Sequence, residues 1–136
     1  METNKDMSAN PLPAVSEAAI RVVMMPRDTN ADGTIFGGVI LSLMDQAAYI
    51  EAMRQAHHQY VTVSFKEVIF KKPVFVGDVL SLYADTRRIG RTSIDISLRV
   101  CANRRTTPGK TVEVTQGEVV FVAVDDSGKP IPVLGH

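Results

Sequence analysis

The sequence predicts an α+β domain: one long central helix wrapped by a curved antiparallel β-sheet of about five strands. Three observations predict it. The segment from Val39 to about Gln55 is made of good helix formers, contains no proline, and is longer than an ordinary strand. From Tyr60 onward, apolar residues recur at every second position through four runs. Short polar turns join these runs, and short connections make neighbouring strands antiparallel.

Residues 1–13 are polar and mixed in charge, and read as a disordered N-terminal arm ahead of a single domain, 14–136. Ala19 to Met24 is β-branched and loosely alternating, a short strand that Pro26 ends. A glycine-rich loop runs from Pro26 to Gly38. The helix follows, with apolar residues on nearly every side (Val39, Ile40, Leu41, Leu43, Met44, Ala47), so it is expected to be buried rather than laid on a surface. Val61, Val63 and Phe65 then alternate with Thr62, Ser64 and Lys66. After Gly77-Asp78, Leu80, Leu82 and Ala84 alternate, and after Ile89-Gly90-Arg91 so do Ile94, Ile96, Leu98 and Val100. A polar loop, Asn103 to Lys110, leads into a long strand, Thr111 to Val124, with a bend expected at Gly117. Asp125 to Lys129 is a turn. A long sheet with open edges invites pairing with a second copy, so a homodimer at least is expected.

Composition narrows the function classes. A chain of 136 residues fits one domain with a real core. Fifteen basic residues balance fifteen acidic ones, which points away from nucleic acid and from anionic membrane. No apolar run approaches the roughly 18 residues of a membrane span, and no secretory signal is visible. The single cysteine, Cys101, can form no internal disulfide and has no reactive partner in the sequence, which favours a reducing, cytoplasmic setting and an inert thiol. His57 and His58 are adjacent and His136 is terminal, so they make no metal set and are expected to be exposed. Asp28, Asn30, Asp32 and Gly33 have the opening spacing of a calcium loop, but the glutamate that should close it is replaced by Val39. No metal is expected.

The chemistry-bearing residues lie around the helix. Ser42, Asp45, Gln46 and Tyr49 fall on one stripe at spacings of three and four. A carboxylate in the middle of an apolar helix needs a partner or a cavity. Asp45 is therefore either a structural acid or a general base on a cleft. Gly37-Gly38 stands where the helix begins, and its bare N–H groups could bind a developing oxyanion or simply allow tight packing. Asn30 either orients water or a carbonyl, or closes an Asx-turn. Arg87 to Ser93 is a basic hairpin tip, joined by Lys71-Lys72 at another turn; these either hold an anionic group or solvate the surface.

The string Asp28-Thr29-Asn30-Ala31-Asp32-Gly33-Thr34-Ile35-Phe36-Gly37-Gly38, followed by Met44-Asp45, resembles the active-site segment of hotdog-fold acyl-CoA thioesterases of the YciA and acyl-CoA hydrolase type. Lys72-Pro73-Val74 with Val76-Gly77-Asp78-Val79-Leu80, and then Gly90-Arg91-Thr92-Ser93, resemble two further blocks of that family. The resemblance runs in order from about Val22 to Gly128. It implies the hotdog fold, and hydrolysis of an acyl-CoA to a free acid and coenzyme A. Asp45 would be the general base or nucleophile. Asn30 would come from the facing subunit, and the backbone N–H at Gly38, beside Gly37, would polarise the thioester carbonyl. Lys72, Gly90, Arg91, Thr92 and Ser93 would serve the coenzyme A side. No cofactor is implied, since coenzyme A is part of the substrate, and the assembly implied is a trimer of dimers. Arg27, Arg91 and Arg104-Arg105 depart from the pattern, and the tail after Pro132 is short. Two rival readings on the same fold are a non-enzymatic acyl-CoA sensor, for which no DNA-binding helix pair is present, and an enoyl-CoA hydratase or dehydratase, whose histidine would have to be His57 or His58 beyond the helix.

Overall fold

The computed structural model describes residues 17–135; the expected arm, residues 1–13, and His136 lie outside that range. The order is β1 (Ile20–Val23), a 3₁₀ turn (Pro26–Asp28), α1 (Gly37–Gln55), β2 (Gln59–Phe70), β3 (Val79–Ile89), β4 (Ser93–Asn103) and β5 (Thr111–Val124). The five strands form one antiparallel sheet in the order β1-β3-β4-β5-β2. Among the described residues no helix is long and apolar enough to cross a membrane.

Helix α1 starts at Gly37, two residues before the expected Val39. Glycine is a poor helix former, and tertiary bonds supply what propensity lacks. The loop ahead is pinned by Ile35 N–H to the Val74 carbonyl (2.8 Å) and by Phe36 N–H to the Asp28 carbonyl (3.1 Å). Val39 N–H then closes the first turn on the Phe36 carbonyl at 3.1 Å. The helix ends where Ala56 turns extended, its N–H on the Ala52 carbonyl. The Tyr60 hydroxyl donates to the Ala56 carbonyl at 2.7 Å, satisfying one of the acceptors a helix end leaves open.

One face of α1 packs into the sheet through Ile40, Met44, Ala47, Ala48 and Ala52. They meet Leu80, Leu82, Ile94, Ile96, Val100 and Val119, all buried. Each fully buried large side chain here contributes roughly 1.5–3 kcal/mol. The alternation read in β3 and β4 is the buried face of those strands. Cys101 is buried next to the β4–β5 register irregularity, and burial pushes its thiol pKa up, so it is inert.

The expectation that the sheet covers the whole helix is corrected in two places. The sheet covers one side of α1 and leaves Gly38, Ser42, Gln46, Tyr49 and Ile50 exposed. Strand β2 lies at the sheet edge, and Val61, Val63, Phe65, Ile69 and Phe70 remain exposed along it, Val63 at 53%. Two register shifts in β2, between Thr62 and Ser64 and between Lys66 and Ile69, break its simple alternation. Glu67 takes φ 51° within the second.

The buried acid of α1 is Glu51, 5% exposed, and not Asp45. Its carboxylate accepts bonds from Arg54 Nε (2.8 Å) and Nη2 (3.0 Å), from Gln55 (3.1 Å) and from the Thr86 hydroxyl of β3 (2.6 Å). Burial alone raises its pKa, but the bonds from Arg54, Thr86 and Gln55 outweigh that and hold it below the ordinary carboxylate value. The stability it contributes is therefore complete above the unfolded-state value, near 4.5, and is lost as pH falls through the lower folded value. Glu51→Gln should destabilise the protein by about 1–3 kcal/mol at neutral pH. The difference from wild type should shrink as pH drops below 4.5. Denaturant unfolding at fixed protein concentration across pH checks both.

Candidate active site

The segment before α1 is a set of interlocked turns. Asp28 accepts the Met25 N–H at 3.0 Å. The Asn30 carbonyl oxygen accepts the N–H groups of Asp32 (2.8 Å) and Thr34 (3.1 Å), and its amide donates to Thr34 Oγ1 at 2.8 Å. That is the Asx-turn arrangement, and it leaves the amide one further N–H to offer. Within one chain Asn30 does not line the cleft beside Asp45.

The turns deliver the chain to Gly37-Gly38. No side chain caps the helix, and among the described residues the N–H groups of Gly37 and Gly38 have no acceptor. The space a Cβ of Gly38 would occupy is empty to 4 Å, so its peptide is open to an approaching group. At Gly37 a Cβ would lie 3.3 Å from the Phe70 ring, so packing constrains the first glycine and access marks the second. Two free N–H groups at a positive helix end suit an oxyanion.

Asp45 stands two turns further on, half-buried at the margin between α1 and β2. Its Oδ1 accepts the Thr62 hydroxyl at 2.8 Å; among the described residues it has no ion-pair partner. Thr62 pairs with Phe121 of β5, which faces the helix, and the irregularity just after Thr62 resets the side-chain alternation of β2. Sequence reasoning missed Thr62, because a partner from another element leaves no trace in local periodicity. Asp45 and Thr62 open into a cleft of about 490 Å³ with Gln46, Tyr49, Ile50, Tyr60 and Phe121.

Other expected residues are brought together only in part. Gly37 and Lys72 share a cleft of about 280 Å³ with Thr34, Phe70 and Pro73. The loop carrying Lys72 is held by Arg104, which reaches buried Asp78 (3.0 Å) and the Pro73 carbonyl (2.9 Å) and lies over the Phe75 ring. The Gly90–Ser93 turn is closed by Gly90 N–H on the Ser93 carbonyl at 2.8 Å, with Arg91 exposed. Ser93 pairs with Val122 whereas Phe70 and Val100 pair with Thr115, so the turn and Lys72 occupy opposite ends of the sheet. Seven residues of β4 separate those ends, about 23 Å. One chain alone does not assemble the expected coenzyme A set. His58 is corrected too: it is half-buried, its Nε2 2.7 Å from the Val133 carbonyl, while His57 is exposed.

A helix laid on a five-strand antiparallel sheet, with one lone acid at its margin and free N–H groups at its start, has the architecture of a thioesterase. Residues 32–108 match the thioesterase superfamily. The acyl-CoA thioester hydrolase YciA of Salmonella typhimurium is 40% identical over 119 residues, 86% of this chain and 90% of that protein. A hexameric hotdog fold thioesterase of Campylobacter jejuni superimposes with a TM-score of 0.81 at 39% identity, covering 86% of this chain and 90% of that one. A hexameric broad specificity acyl-coenzyme A thioesterase, solved as an aspartate-to-alanine mutant, gives 0.82 at 38% identity over 85% of each chain. This chain belongs to the hotdog-fold acyl-CoA thioesterase family of the YciA type.

The Asn30 bonds make a stability prediction. Asn30→Ala removes all three and should cost about 1–3 kcal/mol, whereas Asn30→Asp keeps the two acceptor bonds and should cost less than half as much. Chemical denaturation of the two variants beside wild type measures the difference.

Proposed function

We propose that this protein hydrolyses acyl-CoA thioesters to a free carboxylic acid and coenzyme A, with no cofactor. The observation that carries the proposal is Asp45: a carboxylate on an open cleft, held at one oxygen by Thr62 and, among the described residues, free at the other. The free oxygen can take a proton from water as it attacks the thioester carbon, or attack that carbon itself. The charge that develops on the thioester oxygen needs donors, and the N–H groups of Gly37 and Gly38 are free to supply them. Collapse of the tetrahedral intermediate expels the thiolate of coenzyme A.

One chain cannot do this alone. Gly38 and Asp45 are seven residues apart on one helix, about 10 Å along its axis, too far for both to reach one carbonyl. The site therefore joins Asp45 of one subunit to Gly37, Gly38 and Asn30 of a facing subunit. The exposed apolar residues of the β2 edge and of α1 are the surface such a partner would cover. With hexameric relatives in the family, the assembly proposed is a trimer of dimers, its substrate acyl-CoA. Lys72 and the Gly90–Ser93 turn are proposed for the coenzyme A side, where cations and hydroxyls suit phosphate.

Asp45→Ala should abolish release of coenzyme A, followed with a free-thiol reagent, while the far-ultraviolet spectrum stays that of the folded protein. Full activity in that variant sinks the assignment. Asn30→Asp should be nearly inactive although stable. After subunit exchange, an equimolar mixture of Asp45→Ala with Asn30→Asp should recover about a quarter of the wild-type rate, since half the dimers are mixed and each holds one intact site. No recovery despite demonstrated exchange rules out the shared site.

A further inference from the structure

The cleft beside Asp45 is polar at one end and aromatic at the other. Asp45, Thr62 and Gln46 make the polar end. One helical turn on from Asp45 stands Tyr49, and two residues back along β2 from Thr62 stands Tyr60, so the cleft runs about 6 Å before it meets them. The wall they form is braced. Tyr60 stands edge-on to Tyr49 with ring centroids 6.4 Å apart, and edge-on to His58 at 5.9 Å. It also packs at 5.9 Å against the buried ring of Phe121. The Tyr60 hydroxyl is tied to the Ala56 carbonyl at 2.7 Å and so points away from the cleft. Burial, with Tyr49 nearby, raises its pKa, which keeps it neutral. His58 behind it is held by the Val133 carbonyl.

Resting on the hydrolase reading above, we propose that this cleft takes the acyl chain, that Tyr49 and Tyr60 form its end wall, and that Tyr49 sets the acyl length the enzyme accepts. The lining favours hydrocarbon over the rest of the substrate. Among the described residues no lysine or arginine borders the cleft, so these residues offer nothing to phosphate. Beyond the polar end its surface is Ile50, Phe121 and the faces of two tyrosines, which leaves the amides of a pantetheine arm without partners. A run of about 6 Å holds a few methylene groups. Of the two wall residues Tyr49 is the adjustable one: among the described residues its hydroxyl makes no hydrogen bond, whereas Tyr60 anchors the helix end.

The test uses S-alkyl-CoA thioethers of increasing chain length, which bind without being cleaved, with affinities from titration calorimetry. Matching acyl-CoA thioesters give kcat/KM. In wild type both should rise with length to a limit at short to medium chains and then fall. Tyr49→Ala should move the limit to longer chains, raising the ratio of longest to shortest at least about tenfold, and Tyr49→Trp should move it the other way. An identical length profile in all three proteins, with weaker binding of coenzyme A itself in the variants, overturns the proposal and assigns the cleft to the pantetheine arm. Length-dependent thioether binding with no thioester cleaved would sink the hydrolase reading and leave the wall standing.

Discussion

The depth to which α1 sinks onto the sheet is set where Met44 meets Gly117. Met44 is fully buried, and a Cβ at position 117 would lie 3.1 Å from its Cε and 3.0 Å from Val68 Cγ2. Any larger residue there would push Met44 Cε and Val68 back by a few tenths of an ångström. Ala47, Ala48 and Ala52 continue the same low seat along the helix. Asp45 follows Met44 in the chain, rotated by about 100° around the axis, so it emerges at the margin between α1 and β2. Its bond to Thr62 is 2.8 Å long. A hydrogen bond weakens sharply once the atoms separate by more than a few tenths of an ångström. The orientation of Asp45 therefore rests on a packing contact made about a quarter of the way round the helix.

The same rigid helix constrains the proposed assembly. Because one axis carries both the N–H groups and the acid, the proposed site needs one half from each of two chains. Bringing Asp45 beside the Gly38 of a two-fold mate places the symmetry axis near Leu41 and Ser42, and runs the two helices antiparallel. That arrangement also resolves the separation of the basic groups. An antiparallel mate sets the Lys72 end of one sheet against the Gly90–Ser93 end of the other, so groups about 23 Å apart within a chain can serve one ligand. The apolar edge of β2, exposed in the single chain and poorly suited to water, is the surface such a pairing would bury.

Most of the fold was legible because β3 and β4 alternate cleanly and α1 is a long, proline-free run of good helix formers. In β3 and β4 the alternate residues read from the sequence are the ones that are buried, and β5 keeps the predicted limits Thr111–Val124. Strand β2 was not legible in the same way. Its two irregularities switch which residues face the helix, and its apolar side chains point to a surface a single chain leaves open. The loop string and Asp45 were visible as a motif, whereas Thr62 and the aromatic wall exist only through pairing of β2 with β5 and packing on α1. Asn30 shows why local reasoning left two roles open. Its carbonyl is used by its own turn while its amide keeps a free N–H, so one residue can shape the loop and face outward.

The two central carboxylates of α1 show how environment rather than residue type divides the work. Glu51 and Asp45 are six residues apart, about 120° around the helix. Glu51 points under the sheet, where an unsatisfied charge would be severely destabilising, and it gathers four donors from Arg54, Gln55 and Thr86. Three of those donors crowd onto Oε2 and one takes Oε1, and the bonds hold the pKa below the ordinary carboxylate value, so its basicity is suppressed. Asp45 sits where solvent or a second subunit can reach it, so one donor suffices to fix its orientation. The deep acid is bound into the fold by the requirement that buried charge be paired. The marginal acid escapes that requirement, and one of its oxygens stays available for the role proposed for it.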